Sequence, residues 1–200
     1  MMARLAIFVD GGYLDKLCEN EFDRARIAFD KLSHVMTEIV AAKSTEPIDL
    51  LRTLYYHCPP YQSNPPTPEE RERTAKFRTW ADALKNIDRF DFREGRLALR
   101  GYDKDTGQPI FQQKRVDLLL GLDFALLAGK QRVTHVALLT GDSDLVPAVQ
   151  VAKQEGVTTW LFHGPRVSKV RDQPTFSAEL RQEVDERHEI DSAFIDQVRR

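Results

Sequence analysis

The stretch His135 to Ala148, HVALLTGDSDLVPA, constrains the fold of this 200-residue chain more than any other. Val136 to Leu139 is a short apolar run, the pattern of a strand buried on both faces. Gly141 turns the chain, and Asp142, Ser143 and Asp144 follow it. From Leu145 the sequence LVPAVQVAKQE reads as a helix that stops at Gly156. Strand, acidic turn and helix make half of a βαβ unit. In open α/β sheets ligands gather at the carboxyl ends of the strands, where this turn would lie. A helix start needs one capping side chain. Three polar residues in a row after a glycine leave room for binding beside the cap.

A second acid occupies the same kind of position. Arg4 to Val9 (RLAIFV) is another buried-strand pattern, and it ends at Asp10–Gly11–Gly12 before a helix from Tyr13 to about Asn20. Asp10 is either a turn aspartate or a site acid at a strand's carboxyl end. Ile27, Leu32, Val35, Met36, Ile39 and Val40 are spaced for a helix over 25–42, and Ile48 to His57 reads as the second strand. Further strands are expected at 157–162 and near 189–190, with short helices near 178–184 and 193–198.

A third acidic site lies on the helix predicted from Val116 to Ala128, which is apolar on nearly every side and is therefore expected to be buried. Asp117 and Asp123 interrupt it, and a buried charge is costly unless it is paired or bound to a metal. Six residues apart, they are about 240° apart around the helix and roughly 9 Å apart along it. They do not both point at one ion. Asp117, in the first turn, is the better ligand, and Asp123 belongs beside the site or with a basic partner.

The middle of the chain differs in character. Five prolines between Pro59 and Pro68 make a loop. A charged helix follows over 69–87, with Arg71, Arg73, Lys76 and Arg78 on its exposed side. A short strand is expected at 90–92, then a β-hairpin from 96–102 and 110–113 about the turn at 103–107. Residues 61–115 hold 12 Lys+Arg against 9 Asp+Glu, while the whole chain has a net charge of −2. Any attraction to a polyanion is therefore local. The segment 59–113 is expected to be a substrate-binding insertion in a single domain spanning 1–200. Cys18 and Cys58 lack a C-x-x-C partner, so a zinc knuckle is excluded and reduced thiols are expected. No apolar run reaches the length of a membrane span, and the N-terminal run breaks at Asp10 without a signal-peptide pattern. A cytoplasmic protein is expected, with self-association into a homo-oligomer left open.

Asp10, Asp117, Asp142 and Asp144 come from three segments that a parallel sheet can bring together. Carboxylates that converge repel unless something neutralises them. Oxygen-only ligands suit Mg²⁺ or Mn²⁺, and such an ion with open positions serves phosphodiester hydrolysis. Thr140, Ser143 and Asp123 would support the acids. Lys114, Arg115, Arg166, Lys169 and Arg171 would steer a phosphate backbone. A phosphatase of the haloacid dehalogenase type needs an aspartate where Gly12 stands, and neither G-x-G-x-x-G nor a P-loop is present.

The order FVDGGYL, KRVDLLLGLD, LLTGDSDLVPAV resembles the NYN domain, a branch of the PIN-like nucleases that includes the LabA-like bacterial proteins. The resemblance runs from about Arg4 to Ile190. It implies a three-layer α/β/α fold with a mostly parallel central sheet, here with an inserted helix and β-hairpin. It also implies metal-dependent cleavage of RNA by clustered acids. By motif match the metal acids are Asp10, Asp117, Asp142 and Asp144, and Asp123 matches the family's second helix acid. Tyr13 stands where many members have asparagine, and Arg115 where they usually have glycine. Two functions follow as expectations: a metal-dependent endoribonuclease, or a non-catalytic RNA- or protein-binding module on the same fold.

Overall fold

A computed structural model describes residues 2–104, 106–107 and 109–200; the side chains of 112–114 lie outside the description. The central sheet is built on β1 (Ala3–Asp10). Alternate residues of β1 enter two separate cores. Leu5, Ile7 and Val9 join one, and Ala6 and Phe8 join the other. All five are fully buried, which is why the strand reads as a continuous apolar run.

The other sheet strands are β2 (Ile48–His57), β3 (Phe90–Glu94), β6 (His135–Leu139), β7 (Thr158–His163) and β8 (Glu186–Glu189), in the order β3-β2-β1-β6-β7-β8. Every neighbouring pair is parallel. Helices cover both faces, as a parallel sheet requires. On the first core lie α1 (Gly11–Glu21), α2 (Phe29–Lys43) and α7 (Ser192–Val198), through Leu14, Leu32, Met36 and Ile195 among others. On the second lie α4 (Val116–Gly129), α5 (Val146–Gln154) and α6 (Ala178–Glu183), through Leu120, Phe124, Val149 and Leu180. This is the three-layer α/β/α arrangement. Among the described residues no helix is long and apolar enough to cross a membrane.

The segment 59–113 divides in two. Helix α3 (Pro68–Leu84) is the crossover between β2 and β3, and β3 is an edge strand of the main sheet. Thr67 and Glu70 cap α3 reciprocally, with Pro68 at its start. The hairpin of β4 (Arg96–Tyr102) and β5 (Pro109–Lys114) pairs outside the main sheet.

Three local expectations need correction. The acidic turn passes first through a single 3-10 turn, Ser143–Leu145, before α5 begins. Helix α2 starts at Phe29, because Ile27 is in extended backbone bridged to Arg199. Helix α4 is not buried all round. Leu118, Leu122 and Leu126 are 64%, 51% and 51% exposed, since its outward face meets no other layer.

Candidate active site

The carboxyl edge of β2, β1 and β6 brings three polar side chains abreast. Asp10 is in register with Tyr56 on β2. Val9 is in register with Leu139 on β6, so Thr140 follows Leu139 as Asp10 follows Val9. By the period of two, Tyr56, Asp10 and Thr140 take the face that α4 covers.

Hydrogen bonds link the acids along this edge. One carboxylate oxygen of Asp10 accepts the Tyr13 N–H at 3.1 Å and caps α1. The other accepts the Thr140 hydroxyl at 3.4 Å. That hydroxyl oxygen accepts the Asp142 N–H at 3.3 Å. Asp142 in turn accepts the Asp144 N–H at 3.0 Å and caps the 3-10 turn. Thr140, fully buried, thus bridges the first and third acidic segments. Ser143 lies inside the turn, half-buried.

Two glycines permit this crowding. A Cβ on Gly141 would stand 2.6 Å from the Tyr13 ring and 2.7 Å from the Thr175 carbonyl oxygen. One on Gly11 would stand 2.5 Å from the Tyr55 hydroxyl and 2.7 Å from the Tyr56 carbonyl oxygen.

Asp117 stands in the first turn of α4 and, against the expectation of a buried charge, is an exposed residue whose carboxyl is only partly covered. Its carboxyl pKa is raised, first by burial and then by the charges of Asp10, Asp142 and Asp144. The Asp10 pKa is raised too, by burial, against the pull of the Tyr13 and Gly12 amides, Lys16 and Thr140. Asp10 and Asp142 have local work as caps, but Asp117 caps nothing, because the N-cap of α4 is Arg115 and makes no side-chain cap bond. The donor set is all carboxylate and hydroxyl oxygen, the chemistry a hard divalent cation takes. Among the described residues no three acids or histidines are already drawn together as a closed ion site.

The remaining candidates separate. Asp123 turns to a partner: the Tyr56 hydroxyl donates to it at 2.9 Å, and the Arg93 Nε lies 3.2 Å away. Burial and the Asp123 charge push the Tyr56 hydroxyl pKa far up, so it stays a donor. Lys169 is held at α1, where its ammonium donates to the Glu21 carbonyl at 2.6 Å. Arg166 lies 3.9 Å from Glu189, and Arg171 lines a small cleft with Lys16 and Tyr13. Lys76 pairs with Glu72 at 2.6 Å, and Arg71 donates to the Pro66 carbonyl at 3.1 Å. Arg73, Arg78 and Arg115 are exposed, and the Lys114 side chain lies outside the described residues. Tyr55 and Tyr56 are adjacent on β2, and both are buried. The strand period alone places them on opposite faces, and Tyr56 on that of Asp123.

Comparison with known proteins bears on the same region. The family model described as NYN domain matches residues 4–191. The "Uncharacterized protein y4oD" of Sinorhizobium fredii (strain NBRC 101917 / NGR234) is 36% identical over 85 residues. That match covers 42% of this chain and 37% of the relative, so it spans little more than a third of the relative's length.

Proposed function

Because the chain belongs to the NYN domain family, within the PIN-like nuclease superfamily, we propose that it is a metal-dependent endoribonuclease acting on single-stranded or looped RNA. The observation that carries this reading is Asp117, an acid with no capping role whose charge is opposed by Asp10, Asp142 and Asp144 from two other segments. Such an arrangement is electrostatically costly for a scaffold and useful for holding a cation. Asp10, Asp117, Asp142 and Asp144 would hold Mg²⁺ or Mn²⁺. The bound ion would supply an acidified water and charge stabilisation on the phosphate.

The chain's own groups set the geometry. Thr140 orients the Asp10 carboxylate and tethers the Asp142 backbone. The two caps fix the carboxylates at the ends of their strands. Lys114 and Arg115, between the hairpin and α4, and Arg166 after β7 would draw the RNA backbone to the edge. The cations of α3 would add affinity.

The test is cleavage of a single-stranded RNA by the purified protein. EDTA is expected to abolish it and Mn²⁺ or Mg²⁺ to restore it. Asp117→Asn and Asp142→Asn are each expected to lower the rate at least about 100-fold while RNA affinity stays within a few-fold. Full activity after exhaustive chelation would remove the metal mechanism. Tight RNA binding with no cleavage in either metal would favour the non-catalytic module.

A further inference from the structure

A cleft of 610 Å³ lies on the other face of the sheet from α4, between α1 and α3. That volume falls within the roughly 300–1,000 Å³ typical of ligand pockets. Its wall is aromatic: Phe29, His57, Phe77 and Trp80. Its rim carries Arg24, Arg26 and Lys76, opposed by Asp15 and Glu19. Asp15 is taken up by His57 at 3.0 Å, and Glu19 lies 3.6 Å from Arg24.

The rings are packed against one another. Trp80 has its centroid 5.3 Å from Phe77, 5.9 Å from Phe29 and 6.1 Å from His57. Phe77 is also 6.0 Å from His57. The core needs the inner part of this cluster, but Phe77 and Trp80 stay half-exposed toward the cleft. Nothing in the acid site uses them.

The upper end of the cleft, at His57, reaches the carboxyl edge of the sheet, the edge at which Asp10 lies. Asp10 is in register with Tyr56, and His57 is the next residue on β2. His57 therefore lies one residue beyond the partner of Asp10 on the same carboxyl edge, with its side chain on the opposite face, so a strand bound at the acids passes over the end of the sheet to reach the cleft. His57 also holds Asp15, which lies on the helix that Asp10 caps.

We propose that this cleft is a stacking subsite for an unpaired nucleobase of the strand whose phosphate is bound at the acid edge; the proposal rests on the RNA reading above. Aromatic faces accept any base, and cations at the rim accept the flanking phosphates. A duplex keeps its bases stacked internally and has none to offer the cleft. The cleft would therefore select a base for being unpaired rather than for its sequence.

Binding of a fluorescein-labelled 12-residue oligoadenylate, measured in EDTA so that the strand stays whole, tests this. Phe77→Leu is expected to weaken binding about fivefold or more with the salt slope unchanged, because stacking releases no counterions. Phe77→Tyr, which keeps a ring, is expected to bind as the unaltered protein does. Wild-type affinity in Phe77→Leu, or no binding of the oligomer at all, would overturn the subsite. Failure of the nuclease reading looks different: the oligomer binds through Phe77 but is not cleaved when Mn²⁺ is added.

Discussion

Arg115 sits at φ +73°, in the left-handed region, at the residue that opens α4. That conformation suits glycine, the residue that the NYN resemblance leads one to expect at this position. A non-glycine residue held there costs on the order of 1 kcal/mol. Arg115→Gly is therefore expected to raise the melting temperature by an amount equivalent to about 1 kcal/mol. Arg115→Ala keeps the strained backbone and loses the same cation, so it should melt with the unaltered protein. If both variants melt together, the strain is absent and the arginine is neutral for the fold. The cation at this strained position stands two residues before Asp117, where a phosphate-steering role would place it.

At the scale of elements, α3 does two things, of which the sequence suggested only the outer one. Its inner side, through Leu84 and Trp80, belongs to the first core, and it carries the chain from β2 to β3. Its outer side presents Arg71, Arg73, Lys76 and Arg78, all exposed. The Lys76–Glu72 pair is solvent-exposed and of a kind that contributes little to stability, so it yields readily to a phosphate. Replacing the four cations with Ala is expected to weaken RNA binding at all sequences. The slope of log affinity against log salt should flatten by about 0.7 for each phosphate of a single strand that is no longer neutralised. An unchanged slope would leave α3 as crossover alone. Helix α4 shows the converse mismatch: its composition reads as buried, yet Leu118, Leu122 and Leu126 face outward. Composition records how apolar a helix is, and only the layers around it decide which face is covered.

For the whole molecule, partial burial and then the charges of Asp10, Asp142 and Asp144 raise the Asp117 carboxyl pKa, so without a cation these like charges oppose one another in the folded state. Removing one charge without changing shape should relieve this opposition. Asn caps a helix about as well as Asp, so Asp142→Asn keeps the turn and deletes the charge. In EDTA this variant is expected to melt above the unaltered protein. Mn²⁺ is expected to raise the melting temperature of the unaltered protein and to raise that of the variant less, since binding to the native state stabilises it by mass action. Flat responses to Mn²⁺ in both proteins would sink the ion site and leave Asp10 and Asp142 as caps.

Much of this was readable in one dimension. The strands β1 and β6 announce themselves because residues buried on both faces make unbroken apolar runs. The acids after them follow from the same local logic, as strand ends that a glycine turns into helices. β2 matches its pattern from Ile48 to His57. The sequence also carries the NYN motifs that the family match bears out over residues 4–191. What it left undecided is everything that depends on which distant segments become neighbours. The partner of Asp123 is Tyr56, 67 residues away, with Arg93 beside it. The 59–113 segment became part scaffold because β3 found the edge of β2. The cleft between α1 and α3 exists only once both helices pack on one face of the sheet. Local propensity acts over a few residues, whereas strand order and layer assignment are set by burying the most apolar surface across the whole chain, and that sum is closed only in three dimensions.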